Sequence, residues 1–231
     1  MLPLAAVVTS IEGTTTPLSF IRTVLFAFAR ERFPAFLQSH AGDAEVAAQL
    51  AEVRRLVPGH PEQQTLLHWM EQDAKITPLK ALQGMIWREG YREGGLTGAV
   101  YADVPPALRR WAAAGLRLYG FSHGSTEAQQ LIFGHSGAGD LTGLFSGFFD
   151  TRVGGKREPE SFSRLAIGMG QPPNGIVYLS DVEAELDAAA TAGMRTCQLV
   201  RPRTATRRSS QHPNAADFFG VAARMGLPRE A

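Results

Sequence analysis

The chain has 231 residues, 44% hydrophobic and 19% charged, a balance that suits a globular core, or a core with a small second unit. Twenty-three Lys and Arg against 22 Asp and Glu leave a net charge of +1, so nothing points to nucleic acid as a partner. Cys197 is the only cysteine, which excludes an intrachain disulfide. No apolar run approaches the roughly 20 residues of a membrane span, and the start lacks the pattern of a secretory leader, so a cytoplasmic protein is expected.

In chain order, Ala5–Thr9 is a short apolar run that reads as a buried strand and closes on the polar turn Ser10-Ile11-Glu12-Gly13-Thr14-Thr15-Thr16. From about Pro17 to Gly98 the pattern is helical. Phe20–Phe33, Glu45–Leu56, Pro61–Lys75 and Thr77–Glu93 show apolar recurrence at i, i+3 and i+4, punctuated by Pro58-Gly59 and by the glycines of Gly90–Gly98. Pro105–Ala114 is the next helix, with Leu108, Trp111 and Ala112 at helical spacing and Gly115 as its stop.

Leu116–Phe121 is a second strand and ends at Ser122-His123-Gly124-Ser125, ahead of a helix over Ser125–Phe133. Gly175–Leu179 is a third strand, followed by Ser180-Asp181 and a helix over Glu183–Ala192. A fourth, Thr196–Val200, holds Cys197 as a small core residue. After Arg201 the tail reads as loosely structured until a last helix at Asp217–Met225. Its basic run, Arg201, Arg203, Arg207 and Arg208, reads as a solvated loop, with an anion-binding loop as the lesser alternative. The alternation predicts an α/β class: a doubly wound parallel sheet with its site at the carboxyl ends of the strands. The expected domains are an α/β core of residues 1–16 and 99–231 and a helical cap of residues 17–98 inserted after the first strand.

Four short motifs carry chemistry. In Ser10-x-Glu12-Gly13-Thr14-Thr15, the glycine permits a tight turn and hydroxyls and amides can face an anion. Ser122-His123-Gly124-Ser125 places a small hydroxyl before a helix N-terminus, a phosphate-holding arrangement, although Ser122 also reads as a helix cap. His123 reads as a substrate contact, an acid or base, or a packing residue. Lys156, after Gly154-Gly155, can swing toward a phosphate or simply be solvated. Asp181 is a candidate ligand for a hard cation and competes with Ser180 to cap the following helix.

In this order the motifs resemble those of the haloacid dehalogenase superfamily. The stretches Ile11-Glu12-Gly13-Thr14-Thr15-Thr16-Pro17-Leu18-Ser19-Phe20, Leu79-Lys80-Ala81-Leu82-Gln83-Gly84-Met85-Ile86-Trp87, Ala128-Gln129-x-Leu131-Ile132-Phe133-Gly134 and Asp181-x-x-x-Glu185-Leu186-Asp187-Ala188-Ala189 are similar to the enolase-phosphatases, or acireductone synthases. The resemblance implies a methionine-salvage enzyme and a haloacid dehalogenase-like core with its cap. Members enolise 2,3-diketo-5-methylthiopentyl 1-phosphate and then remove the phosphate, using magnesium. It implies magnesium ligands at position 10, at the Glu12 backbone carbonyl and at Asp181, phosphate or substrate contacts at Ser122, His123 and Lys156, and a monomer acting on a small phosphorylated ketone.

Two positions depart from the pattern. Ser10 stands where the resemblance calls for the nucleophilic, metal-binding aspartate, and His123 stands where it calls for a second serine. A neutral hydroxyl is a weak magnesium ligand, so weak metal binding and weak or absent phosphatase activity are expected. The other readings are a divergent protein with changed chemistry on a related small molecule, and a non-catalytic protein that binds a phosphorylated ligand.

Overall fold

A computed structural model describes residues 3–72, 74 and 76–229. Its contacts divide the chain into two compact units, Met1–Leu18 with Gly98–Ala231, and Ser19–Thr97.

The first unit is built on a six-stranded parallel sheet. The strands are β1 (Ala6–Thr9), β2 (Arg117–Phe121), β3 (Gly147–Phe149), β4 (Ile176–Ser180), β5 (Arg195–Leu199) and β6 (Asn214–Ala215), in the order β3-β2-β1-β4-β5-β6. Every residue of β1 and β4 is buried, as expected of parallel strands covered on both faces. Residues two apart share a face. Ala6 and Val8, Tyr119 and Phe121, and Ile176 and Tyr178 form one layer. It packs on Phe162, Leu165 and Met169 of one helix, Pro159–Met169, and on Leu186 and Ala189 of another, Glu183–Thr191. Two more helices, Val104–Ala113 and Phe218–Met225, join through Trp111 and Phe218, whose rings stack at 5.2 Å. The strand order reverses at β1, which pairs with β2 on one side and β4 on the other. Crevices at such a switch point, outside the carboxyl ends of the strands, are where α/β sheets bind ligands.

The second unit is helical. It opens with a π-helical segment, Phe20–Leu25, and continues with four α-helices: α1 (Phe26–Ser39), α2 (Ala44–Leu56), α3 (Glu62–Glu71) and α4 (Thr77–Arg92). Its own core includes Ala29, Phe33, Val46, Val53, Leu66, Leu79, Leu82 and Ile86. Trp87 Nε1 donates to the Leu25 carbonyl at 2.8 Å, and Asp43 caps α2 through the amides of Glu45 and Val46. We continue the numbering as α5 (Val104–Ala113), α6 (Thr126–Gly134), α7 (Pro159–Met169), α8 (Glu183–Thr191) and α9 (Phe218–Met225).

Several expectations need correction. The helix expected over Pro61–Lys75 is α3, Glu62–Glu71, and Lys75 lies outside the described residues. β3, β6 and α7 were not expected, the strands because they are only three and two residues long. The tail after Arg201 is tied down. Gln198 Nε2 donates to the Arg207 carbonyl at 2.9 Å, and the Ser209 amide donates to Gln198 Oε1 at 2.7 Å. His212 lies 2.8 Å from both Thr196 Oγ1 and Asp187 Oδ1. Arg201 is 3% exposed, not solvated, whereas Arg203, Arg207 and Arg208 are exposed. Cys197 is buried in β5, and burial pushes its thiol up to about 12.

Gly98 marks the return of the chain to the sheet unit. Its amide donates to the His135 carbonyl at 2.8 Å, and a side chain there would overlap the Ile132 carbonyl oxygen. Backbone cannot yield cheaply, so Gly98→Ala is expected to cost about 1–3 kcal/mol, read as a lower urea midpoint at unchanged slope.

Candidate active site

The loop that leaves β1 is wound around one carbonyl. Ile11 O accepts the amides of Thr14, Thr15 and Thr16 at 3.2, 3.0 and 2.9 Å. Ser10 still belongs to the sheet, since its amide donates to the Leu179 carbonyl at 2.8 Å. Gly13 has φ +77°, and a Cβ there would overlap the Asp181 carboxylate. Glycine is therefore required twice at this position, for the turn and for the approach of an acid.

Asp181 is not a helix cap. Residue Val182 occupies the N-cap of α8, and its amide donates to Ser180 Oγ at 3.1 Å. Asp181 is joined to the first loop instead. Its amide donates to Thr14 Oγ1 at 3.1 Å, and that hydroxyl donates to Asp181 Oδ1 at 3.3 Å. Burial pushes the Asp181 carboxyl above its ordinary range. Nearby Glu185 adds to the rise, while its own backbone amide, Thr14 and Lys156 oppose it.

Ser122, at the end of β2, is likewise free of capping, because Ser125 caps α6 by accepting the Ala128 amide at 3.1 Å. Ser122 is 1% exposed. Its Oγ donates to Glu12 Oε1 at 2.7 Å and accepts the Gly124 amide at 2.8 Å. His123 is exposed.

Lys156 is buried, not solvated. It donates to Ser10 Oγ at 2.8 Å and pairs with Glu185 Oε2 at 2.9 Å, its side chain 1% exposed. The same Glu185 oxygen accepts Tyr178 OH and Ser180 Oγ, each at 2.8 Å. Tyr178 is pushed well above its ordinary phenol range, first by burial and then by the Glu185 carboxylate. One buried network thus runs Ser10–Lys156–Glu185, with two further hydroxyls closing on the acid. A second hydrogen-bonded group holds Glu12 and Ser122, and a third joins Thr14 to Asp181. Tyr178 had no role in the motif reading; Thr14 entered it only as a hydroxyl able to face an anion, and Glu185 only as part of the stretch that begins at Asp181. The signal for them was present, since Tyr178 and Ser180 are two apart on one strand face and Glu185 is on the first turn of the next helix.

A family model for haloacid dehalogenase-like hydrolases matches residues 12–193. Enolase-phosphatase E1 of Granulibacter bethesdensis is 53% identical over 229 residues, covering 99% of each chain. Enolase-phosphatase E1 of Gluconacetobacter diazotrophicus is 50% identical over 96% of this chain and 95% of its own. The chain belongs to the enolase-phosphatase family of the haloacid dehalogenase superfamily. Among solved structures, the UTR4 protein of Saccharomyces cerevisiae superposes with a TM-score of 0.79 at 29% identity, over 93% of this chain and 98% of that one. The fold is the haloacid dehalogenase-like α/β fold.

Magnesium is the metal this family implies. Magnesium takes hard oxygen ligands in near-octahedral geometry and usually engages one or two carboxylates. Here the Asp181 carboxylate is the one charged oxygen group among the three expected ligands. Ser10 is neutral, and one of its lone pairs already receives the Lys156 ammonium. Among the described residues no group of three or more His, Cys, Asp or Glu converges to hold a metal ion. The expected ligands are thus one carboxylate, one backbone carbonyl and one neutral hydroxyl.

The Lys156–Glu185 pair gives a stability test. Removing the acid's charge strands a buried ammonium, so Glu185→Gln is expected to cost about 3 kcal/mol or more. The double variant Lys156→Met, Glu185→Gln should recover part of that loss. Urea denaturation of the two variants and the parent measures both effects.

Proposed function

We propose that this chain binds 2,3-diketo-5-methylthiopentyl 1-phosphate, the acireductone precursor, and that its phosphate-releasing half-reaction is weak or absent. Support for the substrate class comes from the near-full-length similarity to enolase-phosphatases. Support for the loss comes from one observation: the Ser10 hydroxyl accepts a hydrogen bond from Lys156, itself paired with Glu185. A serine nucleophile needs a base to take its proton. A lysine held as an ammonium by a carboxylate donates to that hydroxyl and takes nothing from it.

The remaining residues suit binding. Ser122 is buried at the end of β2, and its hydroxyl, which donates to Glu12 here, would turn to a bound phosphate. Glu12, oriented by Ser122 Oγ at 2.7 Å, is placed to move a proton, which supports it as the acid–base group of enolisation. We assign Lys156 to phosphate contact and leave His123, being exposed, at the rim of the substrate site. The helical unit Ser19–Thr97 enters the chain directly after the site loop, which supports its reading as the cap. Magnesium affinity is proposed to be low for want of a charged ligand at position 10, and the protein to be a cytoplasmic monomer.

The test is Ser10→Asp. With the diketo phosphate and magnesium, the substituted chain is expected to release phosphate about 10⁴-fold faster than the native chain, the scale of losing one group from a catalytic unit. Enol absorbance is followed in parallel. Phosphate release by the native chain within tenfold of Ser10→Asp would sink the proposal. Ligand binding with neither reaction, in both proteins, would favour the phosphate-binding reading instead.

A further inference from the structure

Arg201 follows β5 and is almost wholly buried, yet it belongs to none of the four motifs. All three guanidinium nitrogens donate hydrogen bonds. Nη1 donates to both Asp103 carboxylate oxygens at 2.8 Å, and to the Ala216 carbonyl at 3.4 Å. Nε and Nη2 both donate to the Thr14 carbonyl, at 3.0 and 2.7 Å. The guanidinium carbon lies over two rings, Tyr101 centred 4.2 Å away and Phe218 at 5.3 Å. The Asp103 carboxylate that anchors it is itself fixed by the Phe218 amide at 2.8 Å.

This geometry matters because of what lies on the other side of Thr14. The Thr14 carbonyl faces Arg201, while its hydroxyl bonds both the amide and the carboxylate of Asp181. The neighbouring Thr15 carbonyl accepts the Tyr101 amide at 2.9 Å. The loop after β1 is therefore gripped from behind by the Tyr101–Asp103–Arg201 cluster and presents its front to the end of β4. A buried carbonyl requires a donor, and only a planar fork can serve Thr14 and Asp103 together; a lysine is a point charge and cannot span both.

We infer that Arg201 is a positioning residue for the active site, holding the loop of residues 10–16 in register with Asp181 through Thr14. It touches no reacting atom. Its effect on turnover rests on the function proposed above, whereas its effect on the loop does not.

The experiment compares Arg201→Lys with Phe218→Leu, which loosens the same packing without touching Thr14. Both are expected to lower the thermal midpoint. Hydrogen exchange on the folded full-length proteins separates them. Arg201→Lys should speed exchange at the Gly13–Thr16 and Asp181 amides by about tenfold or more, while Phe218→Leu leaves these amides within about threefold of the parent. Thr14→Val cuts the link from the front, so it should speed the Asp181 amide alone, and it keeps the test open if Arg201→Lys fails to fold. In the Ser10→Asp background, Arg201→Lys should lower kcat about tenfold or more with KM within threefold.

Unchanged exchange at Gly13–Thr16 in folded Arg201→Lys, or at Asp181 in Thr14→Val, would overturn the inference. A silent Ser10→Asp parent would instead count against the proposed function and leave the exchange result standing.

Discussion

A buried lysine must be neutralised, and how this chain does so governs its site. Lys156, at 1% side-chain exposure, is paired with Glu185 2.9 Å away, as a buried charge requires. Glu185 in turn could not be buried without the hydroxyls of Tyr178 and Ser180. These demands fix α8 against β4 and bring the loop after β3 to the end of β1. Ser10 receives a second hydrogen bond from the same ammonium. With a carboxylate at position 10, Lys156 would lie between two acids; with a hydroxyl there, the pair with Glu185 balances alone.

A neutral Ser10 therefore leaves the core electrostatically consistent. Burial is what chiefly raises Asp181, and Ser10, being neutral, adds no further charge to the buried site.

Much of this was legible in the sequence, for identifiable reasons. β1 and β4 are buried throughout, and β2 and β5 are buried after their first residue, so each leaves a short, mostly buried run in the sequence. β3 and β6 border the sheet with three and two residues, too few to make a pattern. At the site, Ser10, Glu12, Ser122, Lys156 and Asp181 could be named because they follow strands or glycines. Arg201 could not, because charge reads as exposure until its partners are known. Asp103, Thr14, Tyr101 and Phe218 come from three distant segments, and no local spacing announces that they surround one guanidinium.

The sheet order also dictates a schedule of assembly. β1 is the first strand made and one of the last completed, because its partner β4 begins at Ile176. Until then one of its edges is unpaired, an exposure typical of slow, non-local topologies. The contacts that close the site span 146 residues from Ser10 to Lys156 and 187 from Thr14 to Arg201. The helical unit, by contrast, is one continuous stretch with its own core, and its contacts are available as soon as it is synthesised. The insertion that separates β1 from the rest of its sheet thus fills the interval during which β1 waits.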